Sequence, residues 1–253
     1  MTDATPLTVL VVGSTGSIGI PTVREALSQG FQVRALIRDA GRAVQLPSGA
    51  APVVGDLTRV ETLAGAVDGV DAVVFTHGSH GGRGQAESVD YGAVRNTLFA
   101  LNGRRARLAL MTAVGTTDRA TEGHDWKRRA ERLVRASGNP YTIVRPDWFD
   151  YNTPEERHIV MRQGDTQSTA SPADGVIARD QIARVLIDSL HSDAANHKTL
   201  ELVAGKGTAQ DDLTATFAAL LSDDGPDGAL DKDNMPLSRE PERVCDDLDE
   251  IRR

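Results

Sequence analysis

The chain has 253 residues, 40% of them apolar, and a formal net charge of −8, which allows one large α/β domain or two small ones and argues against nucleic acid as the main partner. No apolar run approaches the roughly 18 residues of a membrane span. The single cysteine, Cys245, excludes a disulfide within the chain, and together with an N-terminus that lacks a signal peptide's positive flank it predicts a cytoplasmic protein.

Short apolar runs alternate with helical patterns along the chain. Most of these runs are nearly continuous in apolar residues, which is typical of parallel strands buried on both faces. The alternation predicts an α/β fold, a doubly wound parallel sheet of the Rossmann type, in a single domain covering residues 1–253. The predicted strands are Leu7–Val12, Phe31–Ile37, Ala51–Val54, Asp71–Thr76, Arg107–Thr112, Pro140–Arg145 and Lys198–Val203, and the predicted helices lie near 17–29, 59–67, 87–102, 123–137, 180–191 and 208–221.

Two segments depart from this rhythm. Residues 147–178 form a long mixed excursion, which predicts a segment that covers the substrate. Residues 222–253 carry 11 acidic and 5 basic side chains and hold most of the net charge. We expect this acidic tail to be partner-facing or loosely held, and dispensable for cofactor binding, because its charge disfavours burial. The sequence leaves open whether the chain forms a homo-oligomer.

The stretch VLVVGSTGSIG leads from a buried strand into Gly13, Gly16 and Gly19 and then into a helix. Glycines allow the tight turn and the close approach of a pyrophosphate, which the helix N-terminus binds through free N–H groups. A Gly-rich turn without a ligand is the plainer alternative, and an ATP P-loop is excluded because no Gly-Lys-Ser/Thr follows. We expect valine at Gly13 or Gly16 to abolish binding without unfolding the chain. The predicted contacts are Gly13, Ser14, Thr15, Gly16, Ser17 and Ile18.

The end of the second strand indicates which dinucleotide binds. An NAD site places an acid there to bind the ribose 2′-hydroxyl, but this strand ends in Arg38, with Arg34 further up and Asp39 one residue late. Arginine can bind a 2′-phosphate bidentately. We therefore predict NADP, and NAD stays open if these arginines are simply solvated. Asp56 and Leu57, after the third strand, are placed to reach the adenine.

The sequence resembles the short-chain dehydrogenase/reductase superfamily, in its atypical NmrA-like, NAD(P)H-binding branch, over roughly residues 7–221. The motifs that carry the resemblance are VVGSTGSIG, VRALIRD, VVGDL, VDAVVFTHGS, WKRRAERLVRASGNPYTIVRP and TLELVAG. The resemblance implies a dinucleotide lying across Gly13–Gly19, Arg38, Asp56, Leu57, Thr76, His77 and Gly78, and then past Thr112, Lys127 and Pro146.

The resemblance also shows what is missing. Classical members carry Tyr-x-x-x-Lys, in which the tyrosine protonates the carbonyl and the lysine holds the nicotinamide ribose. Lys127 and Glu131 match the family's Lys-x-x-x-Glu, but Gly123 stands where the tyrosine would be, and Thr112 is the nearest hydroxyl on the preceding strand. Lys127 is therefore predicted to be a ribose contact, with a solvated surface cation as the alternative.

A carbonyl reductase needs another proton source or charge stabiliser in place of that tyrosine. Histidine titrates in the useful range, although a histidine in a polar loop is often only solvated. The aromatic cluster Trp148, Phe149 and Tyr151 is either lid packing or a wall for a flat substrate. The candidates for the proton source are His77 and His80 in the loop after the fourth strand, His124 and Asp125 beside the vacant position, and Asp147 and Tyr151 in the covering segment.

Two functions remain open at this point. One is an NADP-dependent oxidoreductase acting on a small cyclic or aromatic ketone or quinone, and the other is an NAD(P)H-binding sensor or regulator without turnover. No metal site is predicted, because the remaining histidines lack partners at ligand spacing. The basic run KRRAER, residues 127–132, is expected to be a solvated helix face.

Overall fold

The predicted strands assemble into one large sheet in the computed structural model, which describes residues 6–79, 81–82, 84–166, 169–232 and 235–253. His80, one of the proton-donor candidates, lies outside the described residues. The strands are β1 (Thr8–Val12), β2 (Gln32–Ile37), β3 (Ala51–Val54), β4 (Ala72–Phe75), β5 (Arg107–Met111), β6 (Tyr141–Pro146), β7 (Trp148–Phe149), β8 (His158–Arg162), β9 (Val176–Ile177) and β10 (Lys198–Gly205).

The sheet has the order β3-β2-β1-β4-β5-β6-β10-β8, and β7 pairs with β9 in a separate two-stranded ribbon. The strands from β3 to β10 run parallel, and β8 joins the edge antiparallel to β10, with Val160 opposite Val203. This confirms the predicted α/β class. The chain turns from one half of the sheet to the other between β1 and β4, which opens a crevice at the carboxyl ends of the strands, where α/β proteins bind ligands.

Helices cover both faces of the sheet, as a doubly wound fold requires. Because successive strand residues point to opposite faces, Val9 and Val11 pack against one helical layer and Leu10 and Val12 against the other. The first layer holds α1 (Gly19–Ser28) and α5 (Arg179–His191), and the second holds α2 (Ala64–Val67), α3 (Gly92–Leu101), α4 (Glu122–Ala136) and α7 (Glu242–Ile251); α6 (Thr214–Ala218) lies against the first core.

Several boundaries differ from the prediction. The helix expected over 208–221 is α-helical only over Thr214–Ala218, and the one expected over 59–67 is a 3₁₀ turn followed by α2. Strand β8 was not predicted, since it is a short partly exposed edge strand inside the mixed segment. None of the helices in the described ranges is long and apolar enough to cross a bilayer.

The acidic tail is packed against α4, so the expectation that its charge disfavours burial is wrong. Its helix α7 buries Val244 and Leu248 against α3 and α4. Asp247 of α7 accepts hydrogen bonds from the Tyr91 hydroxyl at 2.7 Å and from Arg95 Nε at 2.7 Å. The tail therefore belongs to the folded domain.

The basic face of α4 is the reason for this burial, and the expectation that it is solvated is also wrong. Arg128 and Arg132 are at most 1% exposed. Arg128 Nη1 lies 2.6 Å from Asp231 Oδ2, and Arg132 Nη1 lies 2.5 Å from Glu240 Oε1. Arginine side chains along a helix can be buried when each guanidinium is paired with a carboxylate. The tail supplies those carboxylates to α4.

Candidate active site

In the glycine-rich loop between β1 and α1, Gly16 is exposed. Among the described atoms, a Cβ on Gly16 would meet only the carbonyl oxygen of Gly13, at 3.2 Å, whereas a Cβ on Gly19 would lie 2.0 Å from that oxygen. Gly19 is thus needed for packing within the loop, while Gly16 faces outward. No described side chain caps the start of α1. The Ile20 N–H donates to the Gly16 carbonyl at 3.0 Å and Pro21 has no N–H, so in the first turn it is the Gly19 N–H, which has no acceptor among the described residues, that is available to a phosphate oxygen.

Gly13 is needed by the fold itself. Its φ is +84°, and a Cβ there would lie 2.7 Å from the backbone nitrogen of His77 in the loop after β4. A valine would therefore push the two loops apart, which speaks against the expectation that Gly13→Val leaves the fold intact. The fully buried Ser14 donates from Oγ to the carbonyl oxygen of Leu36 at 2.7 Å and ties the loop to β2. Ser17 is exposed, Thr15 is partly exposed, and Ile18 is buried in the core.

The end of β2 presents two exposed cations beside this loop. Arg38 is exposed at the strand's end, and the Arg42 Nη1 atom, four residues on, lies 3.4 Å from Thr15 Oγ1. Neither guanidinium is in a salt bridge within the described part of the chain. Asp39 accepts from the Gly41 backbone N–H at 2.7 Å and so caps the following 3₁₀ turn. Arg34 donates to the carbonyls of Ala66 and Asp68 instead, so its proposed role at the 2′-phosphate is wrong.

The loops after β3 and β4 form the adjoining wall. Asp56 Oδ1 accepts from the Thr58 N–H at 2.9 Å, a contact that lowers the pKa of Asp56, and the Leu57 carbonyl accepts from Asn96 Nδ2 at 2.8 Å. Thr76 Oγ1 donates to the Val12 carbonyl at 2.9 Å, which holds the β4 loop beside the glycine loop. Gly78 is exposed. These contacts hold the loops after β3 and β4 in place beside the glycine loop.

His77 is a neutral imidazole in this wall. Burial lowers the pKa of His77 to about 4, and its Nδ1 atom is buried without a hydrogen-bond partner among the described residues. Its Nε2 atom lies 3.5 Å from the Asp90 carbonyl oxygen. An imidazole with this pKa is unprotonated at neutral pH, so His77 can position a ligand but is poorly suited to donate a proton.

Lys127 and Thr112, the two residues expected beside the nicotinamide ribose, both have buried acidic partners. Lys127 Nζ lies 3.1 Å from Asp90 Oδ2, and Asp90 also accepts from the Ser79 hydroxyl at 2.6 Å. Thr112 Oγ1 donates to Glu131 Oε1 at 2.7 Å. The proton of the Thr112 hydroxyl is therefore directed towards Glu131. Lys127 is only partly buried and keeps an exposed side.

A cleft of about 310 Å³ opens at the carboxyl ends of β5 and β6, next to these residues. It brings together Pro146 and the aromatic pair Trp148 and Phe149, with His124 from the start of α4. Tyr151 is not among its described lining residues; its ring packs edge-on against Trp148 at 5.9 Å and is largely exposed at the rim. The lining residues are Ala113, Val114, Gly115, His124, Pro146, Asp147, Trp148, Phe149, Ala170 and Asp174.

The cleft carries two carboxylates with different environments. Burial raises the pKa of Asp147 to about 6. Backbone N–H groups, led by that of Thr169, lower the pKa of Asp174. Behind the cleft, burial raises the pKa of Glu201 to about 7, and Glu201 Oε1 accepts from the Asp165 backbone N–H at 2.9 Å.

The chain matches the model of a family described as NAD(P)H-binding over residues 13–193, which is most of its length. It belongs to this NAD(P)H-binding family of atypical short-chain dehydrogenases/reductases. It is 24% identical to sanguinarine reductase of Eschscholzia californica over 85% of this chain and 97% of that protein. It is 27% identical to an uncharacterized chloroplastic protein of Arabidopsis thaliana over 86% and 76% of the two chains. A solved structure of a putative NAD-dependent epimerase/dehydratase from Bacillus halodurans superposes with a TM-score of 0.71 at 23% identity, covering 85% of this chain and all of that one.

The dinucleotide of this NAD(P)H-binding family fits the residues present. The exposed Gly16 and the free Gly19 N–H at the start of α1 suit a pyrophosphate. The cleft beside Pro146 lies at the same edge of the sheet, at the carboxyl ends of β5 and β6, which follow β1 and β4 in the strand order. When bound, the reduced nicotinamide supplies a hydride. The residues around it must then orient the acceptor and manage its proton.

Sequence reasoning missed several residues of this site. Asp90, the partner of Lys127, lies in a π-helical turn (Ala86–Tyr91) that the pattern predicts as ordinary helix. Asp174 lies 27 residues after Asp147, and only the fold of the covering segment brings both to one cleft. Asp125 pairs with Arg119 and Arg129 and is thereby removed from the list of proton donors. Arg42 could have been found from the sequence, because it is a second basic residue shortly after the predicted second strand.

Proposed function

We propose that this protein is an NADPH-dependent reductase of a small, flat cyclic or aromatic ketone or quinone. The observation that carries the proposal is the cleft at the carboxyl ends of β5 and β6, with Trp148 and Phe149 as an apolar wall beside Pro146. Sites of this kind bury most of a small ligand's surface and orient it with a few polar groups. The cleft's polar groups are Asp147, Asp174 and His124.

The preference for NADPH is supported by the cations at the end of β2. Arg42 lies beside Thr15 of the glycine loop, Arg38 is exposed at the end of β2, and Asp39, the acid nearest to them in sequence, caps the following 3₁₀ turn. A doubly charged 2′-phosphate would satisfy both guanidinium groups by charge-assisted hydrogen bonds. An NAD ribose at the same place would leave them without an anionic partner.

The second candidate is an NAD(P)H-binding sensor without turnover. The position of the catalytic tyrosine is occupied by Gly123, and Lys127 is held by Asp90. Both observations fit a chain that binds the cofactor but does not reduce a substrate. Because the cleft is built for a small ligand, we favour the reductase.

The test separates the two functions. NADPH and NADH are titrated against the parent protein and against Gly16→Val by nicotinamide fluorescence, and a panel of aromatic ketones and quinones is then screened for NADPH oxidation. The reductase predicts tight binding by the parent alone and turnover with flat acceptors. Binding without turnover across the panel would favour the sensor, and no binding by the parent would refute both.

A further inference from the structure

Asp147 is the first residue after β6, where Pro146 ends the strand at the edge of the cleft. Asp147 is only 8% exposed to solvent. One carboxylate oxygen, Oδ1, accepts from the Trp148 backbone N–H at 3.0 Å. The other, Oδ2, accepts no hydrogen bond from any described residue, and a Cβ on Gly175 would lie 3.0 Å from it. A buried carboxyl with one free oxygen in a substrate cleft is placed to act on a bound molecule.

Asp174, the second carboxyl of the cleft, is held in the opposite way. Both of its oxygens accept from the Thr169 backbone N–H at 2.8 Å, and Oδ2 also accepts from the Ser171 N–H at 3.4 Å. Hydrogen bonds from backbone N–H groups favour the ionised form of a carboxyl. Asp174 therefore stays negatively charged, and its charge opposes the ionisation of Asp147. The two environments move the pKa values of these carboxyls in opposite directions, which suits Asp147 to be a proton donor and Asp174 to be a permanent negative charge.

We propose that Asp147 is the proton donor that replaces the missing tyrosine, acting on a carbonyl oxygen bound in this cleft; the inference rests on the proposed reductase function. As the hydride reaches the carbonyl carbon, the electron pair of the C=O π bond moves to oxygen, and Asp147 Oδ2 gives that oxygen its proton. The product is an alcohol, and the Asp147 carboxylate regains a proton from water through the open mouth of the cleft.

The charges that act on Asp147 favour this assignment. Asp174 and Asp165 raise the pKa of Asp147, Arg162 and the Trp148 N–H lower it, and burial dominates. His124 from α4 also lines the cleft. The net result, a pKa of about 6, leaves a useful protonated fraction near neutral pH, and a bound apolar substrate would exclude water and raise this fraction. An ordinary exposed aspartate would be ionised almost completely.

The proposal predicts that only acceptors that need a proton depend on Asp147. An aromatic 1,2-diketone such as benzil needs one proton per hydride, whereas N-methylacridinium accepts a hydride at carbon and becomes neutral without a proton. Asp147→Asn should reduce benzil at least about a hundredfold more slowly, since a positioned general acid contributes about 10²–10⁴-fold. It should reduce N-methylacridinium at close to the parent rate, which also shows that the variant is folded.

The controls make each outcome decisive. In the parent, kcat for benzil should fall as pH rises above about 6, and the fall should be absent for N-methylacridinium. Infrared difference spectra of the parent should show protonated carboxyl bands from Asp147 and from the buried Glu201, and Asp147→Asn should lose only the band that titrates near pH 6. Equal loss with both acceptors, or loss of benzil reduction by His124→Gln with Asp147→Asn unimpaired, would overturn the proposal. If the parent binds NADPH but reduces neither acceptor, the proposed function fails and the donor role of Asp147 fails with it, whereas equal loss with both acceptors overturns the donor role alone.

Discussion

Lys127 and Asp90 form a partly buried ion pair, with Nζ 3.1 Å from Oδ2 and the Asp90 side chain only 2% exposed. This pair limits how Lys127, the lysine that matches the family's Lys-x-x-x-Glu motif, can bind a cofactor. For Lys127 to bind a ribose, its ammonium must share its three donors between the sugar hydroxyls and Asp90. The exposed side of the lysine leaves room for this.

Lys127→Ala should weaken cofactor binding by about ten- to a hundredfold, since each charge-assisted hydrogen bond contributes roughly 1.5–3 kcal/mol. The same change leaves the buried Asp90 without its cation, so the melting temperature should also fall. Fluorescence titration and thermal unfolding measure the two effects separately. Lys206→Ala, at an exposed lysine, is the matched control and should change neither. Arg128 and Arg129 cannot serve as controls, because both are buried in ion pairs. A lower melting temperature with unchanged affinity would leave Lys127 a purely structural role.

Arg42→Ala should weaken NADPH binding by about tenfold or more and leave NADH binding unchanged. The reason is its position beside Thr15, where loss of one charged contact to a 2′-phosphate removes roughly 1.5–3 kcal/mol. Arg38→Ala should behave alike, and Arg34→Ala should not discriminate between the cofactors, because Arg34 binds backbone carbonyls. Affinities are measured by fluorescence titration at constant salt. Equal affinity of the parent for NADH and NADPH would contradict the prediction.

Asp231→Asn should lower the free energy of unfolding by about 3–5 kcal/mol, the cost of breaking a buried ion pair from one side. Asp231 lies 2.6 Å from Arg128 and 2.7 Å from Arg145, and both arginines are fully buried. Burial alone would raise the pKa of Asp231, but these arginines hold it far below its usual value, so the stabilisation is present at neutral pH and is lost in strong acid. Urea unfolding at pH 7 measures the loss.

The matched control for Asp231 is Asp249→Asn, which removes an exposed carboxylate of the same tail that pairs with Arg252. Exposed pairs contribute about 0–1 kcal/mol, so this variant should unfold like the parent.

Truncation after Leu221 should prevent stable folding, because it removes the carboxylates that pair with the α4 arginines. A stable, NADPH-binding truncated chain would show that the tail's ion pairs are not needed.

Glu201 should make the protein less stable as pH rises from about 4.5 to 7. Burial raises the folded-state pKa of Glu201 to about 7 from its ordinary value of 4.5, so the folded state holds its proton over a range in which the unfolded state has released it. The unfolding free energy therefore falls through this window, by up to about 3 kcal/mol. Glu201→Gln should reduce this slope, leaving the part that Asp147 contributes below about pH 6, and raise the melting temperature at pH 8. Glu155→Gln, at an exposed position, should leave the slope unchanged, and an unchanged slope in Glu201→Gln would contradict the prediction.

The fold and the cofactor loop could be predicted from local patterns. Continuous apolar strands and three spaced glycines act through neighbours in sequence, so Thr8–Val12 and Gly13–Gly19 are found where the sequence indicates them. The sequence could not decide whether Trp148 and Phe149 pack within the lid or line a cleft, because an aromatic cluster in a mixed segment has no periodicity that shows which way its side chains point. The structure places both in the lining of the cleft.

The sequence by itself determined the alternation of strands and helices, the glycine loop and the absence of the usual tyrosine, because each depends on residues close together in the chain. Only the tertiary structure decided the state of the charged residues. The α4 arginines and the tail carboxylates are about a hundred residues apart, as Arg128 and Asp231 show, and each looks solvated until the fold brings them together. The same holds for Asp147 and Asp174. The charge of each carboxyl depends on its burial and on its distance from other charges and N–H groups, and the local sequence determines neither.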